Sequence, residues 1–295
     1  MTYRNLLDRV YNRPHLIMLD KLESIRAVVT NRAVGLEAPG IVHVAMEDAA
    51  ARRKPSMSRS VAVLPVVGTL AKRMDMVGES SGGMSTDRIG MEFDRLLNDD
   101  AVAAIVLDID SPGGESFGVQ ELSDKIYAAR GRKPITAVAN PEAASAAYYI
   151  GSAADELSVT PSGWVGSIGA VMVHTDLSRL NETLGRTVTY IHAGQFKVEG
   201  NADEPLSDES LAYFQREVDA VAEQFVRDVA RNRGVSAADV RRAYGEGRML
   251  RARDAKAAGM VDRIETLDEA IARLATGGKS RRSTKLARLR LTDGL

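Results

Sequence analysis

The run Val102-Ala103-Ala104-Ile105-Val106-Leu107-Asp108-Ile109 closes on Asp110-Ser111-Pro112-Gly113-Gly114, and no other stretch restricts the possible folds so sharply. A short, almost wholly apolar run ending in a turn lacks both helical periodicity and the alternation of a half-wet strand. It therefore reads as a strand buried on both faces, which needs cover above and below. A comparable apolar run stands at Val61–Val67, where Pro65 interrupts, and further strand candidates lie at 135–139, 157–160, 168–173 and 188–192. Stretches of helical character lie near 85–98, 117–130, 143–153 and 176–184. The alternation predicts a layered α/β fold with a largely parallel sheet.

The clearest helix opens at Ser207 and carries Leu211, Phe214, Val218, Val221, Phe225 and Val229 at steps of three and four before Gly234 ends it. Ser236, with Asp239 three residues on, opens a shorter helix toward Tyr244. A helix ending at Gly259 then precedes one more short strand. Three parts follow: residues 1–58 as an accessory segment with a helix between His15 and Val29, 59–272 as the main domain, and 273–295 as a basic tail expected to be disordered. That tail holds Lys279, Arg281, Arg282, Lys285, Arg288 and Arg290 against a single acid, Asp293.

The remaining composition excludes several classes. A length of 295 residues with 44% hydrophobic content is ample for a buried core. Lys+Arg 39 against Asp+Glu 40 leaves no overall basic field, which argues against nucleic acid as a partner. The absence of cysteine removes thiolate chemistry, disulfides and Cys-ligated zinc, and the four histidines show no metal-binding spacing. No metal and no cofactor are expected. The start of the chain lacks a secretion pattern and no apolar run is long enough to span a bilayer, so a cytosolic protein with no membrane partner is expected.

Three segments offer the parts of an acyl-transfer site in order. Asp110 to Gly114 is a strand-to-helix turn whose glycine amides can face an oxyanion, although the same turn is commonly only structural. Ser145 lies in Asn140-Pro141-Glu142-Ala143-Ala144-Ser145-Ala146-Ala147-Tyr148-Tyr149-Ile150. Taken alone it is a small residue that lets helices pack closely; at the start of a helix it would be a nucleophile, with the N–H of Ala146 joining Gly113 and Gly114 around the developing charge. Lys197, in Gly194-Gln195-Phe196-Lys197, is either a solvated surface charge or the base. As a base it must shed a proton that a free lysine holds up to about pH 10.4, which requires burial or a like charge nearby. His174, after the apolar run 168–173, is the alternative base of a Ser-His-Asp triad.

Together these segments resemble the signal-peptide-peptidase A (S49) family of serine peptidases, and more closely its phage branch of head maturation (prohead, capsid) proteases. The likeness covers roughly residues 60 to 270 and includes Val165-Gly166-Ser167-Ile168-Gly169, Lys197-Val198-Glu199-Gly200-Asn201 and the ending Ala255 to Asp262. The resemblance implies a ClpP/crotonase-like spiral of ββα units, with Ser145 as nucleophile, Lys197 as base and Asp110–Gly114 as the oxyanion loop. Ser145-Ala146-Ala147 replaces the Ser-Gly-Gly of membrane-associated members, and the N-terminal anchor of that branch is missing; both point to the phage branch. It further implies a homo-oligomer that cuts scaffold, capsid or portal protein within an immature head in the host cytoplasm, any scaffold being a separate polypeptide.

Two other functions remain open on the sequence. An acyl-CoA enzyme of the crotonase kind would use the same paired amides and leave Ser145 and Lys197 idle. A non-catalytic assembly factor would use the basic tail to hold an acidic partner.

Overall fold

A computed structural model describes residues 11–33, 55–58, 60–74 and 82–277. The apolar run announced by the sequence becomes β6 (Ala104–Ser111), in the middle of an eight-stranded sheet. Parallel to it on one side runs β3 (Val61–Val67), with Val61 opposite Ala104 and Val67 opposite Asp110. On the other side β8 (Ile135–Ala144) is also parallel, with an irregularity between Ile109 and Ser111. The far edge of β8 receives β9 (Glu156–Val159) along its first half and β10 (Trp164–Gly166) along its last three residues, both parallel. Two antiparallel strands finish the main path, β2 (Ser56–Ser58) on β3 and β11 (Met249–Arg251) on β10, while β12 (Arg263–Ile264) lies parallel to β9. Because β2 reaches only Val61–Val63, Pro65 falls where no described strand pairs with that edge of β3 and its missing N–H does least harm.

Successive residues of these strands supply opposite faces. Ala62, Leu64, Val66, Ile105, Leu107 and Ile109 enter the main core, while Val61, Val63, Ala104, Val106 and Val138 enter a second one. The main core includes apolar side chains of α2 (Thr86–Asn98), α3 (Val119–Ala128) and α4 (Ala146–Ser152). The second is closed by Ala270 and Leu274 of α9 (Leu267–Ala275). This two-sided cover is what a strand without polar alternation requires.

A smaller four-stranded sheet, in the order β1-β7-β4-β5, stands at the carboxyl end of β6. It comprises β1 (His15–Ile17), β4 (Thr69–Ala71), β5 (Gly83–Ser85) and β7 (Gly113–Glu115). The other helices are α1 (Leu19–Ala33), α5 (Ser178–Thr183), α6 (Asp208–Arg233), α7 (Ala237–Ala243) and α8 (Ala252–Ala257). Local signals hold closely here. Ser207 caps α6 by accepting from Ser210 N–H, Gly234 ends it at φ 66°, and Ser236 with Asp239 forms a complete capping box on α7.

Several expectations change. The helix expected between His15 and Val29 is instead β1 followed by α1, because residues 15–17 pair with β7 rather than continuing the helix. The run 168–173 is not a strand; only Val171 bridges to His15. Nor is 188–192, where Val188, Tyr190 and Ile191 are exposed and Ile191 is 99% exposed. Apolar residues without a neighbouring edge do not make a strand. Helix α9 continues past residue 272 to Ala275, and the basic residues from Lys279 onward lie outside the described residues. No described helix is long and apolar enough to cross a membrane.

Candidate active site

Ser145 is the single residue joining β8 to α4, and it adopts φ 51°, ψ −116°. A side chain held at positive φ costs about 1–3 kcal/mol and persists only where its surroundings enforce it. Here they do: Ser145 N–H donates to Gly166 O at 2.8 Å, and its carbonyl accepts from Tyr149 N–H at 2.9 Å. The residue is wholly buried, yet its Oγ bonds to no described residue. The serine thus sits on a sharp strand-to-helix turn, at the positive end of α4.

The glycine loop lies against it. Ser111 Oγ donates to Gly68 O at 2.7 Å and accepts from Gly113 N–H at 3.2 Å, which ties the turn to the end of β3. Gly113 has φ 96°, and a methyl group there would stand 2.2 Å from Leu16 O and 3.1 Å from Ala144 O. At Gly114 it would stand 1.8 Å from Leu70 O. Both glycines therefore serve close backbone approach, and β7 packs against α4 just beyond Ser145 and the buried Ala146. The Gly113 N–H is already engaged by Ser111, a partner that sequence reading had no means of naming.

Neither candidate base is hydrogen-bonded to the serine. Lys197 is exposed on the turn from Gly194 to Gly200, its N–H donating to Gly194 O at 3.1 Å. His174 is half-buried, and neither ring nitrogen bonds to a described residue. Asp176, which a triad would place on His174, instead accepts from Ser178 N–H at 2.8 Å, and that helix-start contact holds its carboxyl below the usual range. Within one chain, neither Lys197 nor His174 is hydrogen-bonded to Ser145.

Helix α4 is fixed from behind. The Tyr149 ring stacks on Phe225 of α6, with centroids 4.6 Å apart, and its hydroxyl donates to Asp228. Burial first, then this carboxylate, push the Tyr149 phenol far above its ordinary range. At the other end Arg130 donates to the carbonyls of Ser152, Ala153 and Ala154, and to Asn232 O. A cation there complements the negative end of the helix. On the open side of the loop, the acid Glu142 is held above its usual range by burial and by Asp110.

The model of the family "Peptidase family S49" matches residues 128–281. The chain is 32% identical over 276 residues to the head-tail preconnector protein GP5 of Enterobacteria phage P21, which covers 92% of this chain and 55% of that protein. It is 32% identical over 219 residues to the capsid assembly protease C of Escherichia phage lambda, covering 74% of this chain and 49% of the other. The chloroplastic serine protease SPPA of Arabidopsis thaliana is 29% identical over 170 residues, 57% of this chain and 25% of that protein. The chain thus spans about half the length of these phage relatives. Its interleaved helices and parallel-rich sheet agree with the ClpP-like fold that the resemblance implies. Matched over more than half its length by the family's sequence pattern, and carrying the buried serine and glycine loop within that fold, the chain belongs to peptidase family S49.

Proposed function

We propose that this chain is a serine endopeptidase that uses Ser145 and Lys197 to process scaffold, capsid or portal proteins inside an immature phage head, in the host cytoplasm. One observation carries the reading: Ser145 stands strained at a strand-to-helix junction, its buried hydroxyl bonded to no described residue, against a glycine loop that no side chain can enter. Likeness to a capsid assembly protease and a head-tail preconnector supports the substrate class.

In this mechanism neutral Lys197 takes the Ser145 proton as Oγ attacks a peptide carbonyl. The N–H groups of Gly114 and Ala146 receive the oxyanion, while Gly113 keeps its bond to Ser111 and shapes the loop. Lys197 returns the proton to the departing amine, and water releases the acyl-enzyme. In a single chain Lys197 is exposed, and so are Leu184, Ile191 and Phe196 in the same stretch of sequence. Assembly into a homo-oligomer covers these side chains and seats Lys197 beside Ser145, where burial favours the neutral amine.

The test is coexpression with the capsid and scaffold proteins of the same source, followed by electrophoresis. Processing by wild type and its loss in both Ser145→Ala and Lys197→Ala, with unchanged circular dichroism, is expected. Full processing by Ser145→Ala overturns the reading and favours an assembly factor or an acyl-CoA enzyme. Normal processing by Lys197→Ala, with loss in His174→Ala, transfers the base to His174.

A further inference from the structure

We infer that residues 12–18 fill this protein's own substrate cleft as an extended strand, so that the chain described here is a plugged resting form; the inference rests on Ser145 being the nucleophile. A peptide substrate must lay a carbonyl against Ser145 and the glycine amides, and an extended backbone is held most readily by adding a strand to free edges. That place is taken. Strand β1 pairs antiparallel with β7, His15 opposite Glu115, Leu16 opposite Gly114 and Ile17 opposite Gly113. Met18 N–H donates to Pro112 O at 3.0 Å, and Ser116 Oγ to Pro14 O at 2.9 Å.

The opposite edge of the same strand is bonded as well. His15 N–H donates to Val171 O at 2.8 Å, Val171 N–H to His15 O at 3.0 Å, and Asn12 N–H to Val173 O at 3.1 Å. Asn12 Nδ2 then reaches Gly200 O at 2.6 Å, on the turn that carries Lys197. Residues 12–18 therefore bond to the oxyanion loop on one side and to the segment leading to the base on the other. The Leu16 carbonyl lies where any side chain on Gly113 would strike it, the carbonyl of Ala144 stands on the same glycine, and the next residue, Ser145, is wholly buried. Nothing can acylate Ser145 until this strand leaves.

The strand's side chains report what the cleft accepts. Leu16 is buried in the main core beside a cavity lined by Phe117, Tyr149 and Val221, while Ile17 packs on the other face with Leu22, Val171 and Val173. The occupant is thus an extended peptide with a branched apolar residue at the position of Leu16.

The chain has no cysteine, so His15→Cys with Val171→Cys introduces the sole thiols, across a hydrogen-bonded antiparallel pair. Mild oxidation should cross-link them and, because a tethered strand cannot leave, lower fluorophosphonate labelling of Ser145 at least about tenfold below that of the reduced chain, which still opens part of the time, with recovery on reduction. Failure to cross-link means that residue 15 does not rest beside residue 171 and overturns the inference; equal labelling when oxidised and reduced overturns it too, because Ser145 is then reached with the strand in place. A second arm needs no catalysis: a fluorescent peptide of residues 11–19 should bind full-length Ser145→Ala carrying Leu16→Asp at least about tenfold more tightly than Ser145→Ala alone. Equal binding, or none to either, overturns it. Differential binding with no cleavage of any substrate keeps the plug and removes the peptidase reading.

Discussion

Replacing Arg130 with methionine tests how firmly α4 holds Ser145. The guanidinium donates to Ser152 O at 3.0 Å, Ala153 O at 2.8 Å, Ala154 O at 2.7 Å and Asn232 O at 3.0 Å, three of them at the carboxyl end of α4. One charged hydrogen bond contributes about 1.5–3 kcal/mol net, and the bonds of one group do not add, since water can replace the exposed ones. Loss of a cation at a partly buried helix end adds about 1 kcal/mol. A total near 3 kcal/mol is therefore expected, which for a domain of this size lowers Tm by roughly 6–12 °C. Thermal unfolding followed by circular dichroism reads the shift. Arg130→Lys should recover less than half of it, because an ammonium cannot span several carbonyls as the planar fork does. A shift under about 1 °C for Arg130→Met, set against these values, refutes the clamp; full recovery by Arg130→Lys refutes the role of the fork.

Three further outcomes follow from the site. Gly114→Ala forces a methyl to 1.8 Å from the Leu70 carbonyl, so Ser145 labelling should fall to background while α6 and the main core remain helical and folded by circular dichroism; wild-type labelling speaks against the loop's role. Glu142→Gln should stabilise the protein to urea at pH 7 but not at pH 4. Burial raises the folded pKa of Glu142, so the folded state binds its proton more tightly than the unfolded chain does; the stability this gives is present below about pH 4.3 and lost as pH rises through the folded value. A difference independent of pH rejects that account. If assembly seats Lys197, specific activity should fall on dilution in step with oligomer dissociation by light scattering, and constant specific activity from monomer to oligomer rejects it.

Much of the fold and part of the candidate site's local geometry were legible in the residue order because their causes are local. The apolar run ending in Pro112-Gly113-Gly114 dictates a doubly covered strand and a close-approach turn, and Ser207, Gly234 and the Ser236/Asp239 pair set helix ends through bonds spanning three or four residues. Ser145 at a helix start follows from the same kind of local reasoning. The rest depends on partners far apart in the chain. Whether 15–17, 168–173 or 188–192 becomes a strand is decided by whether an edge is available: β7 and Val171 supply one to β1, and no described strand supplies one to Ile191. Tertiary structure alone engages the Gly113 amide with Ser111, leaves Lys197 in solvent, and lays the Leu16 carbonyl against Gly113. Periodicity and caps report what a segment can form, whereas strand pairing and burial depend on what the folded chain brings to its side.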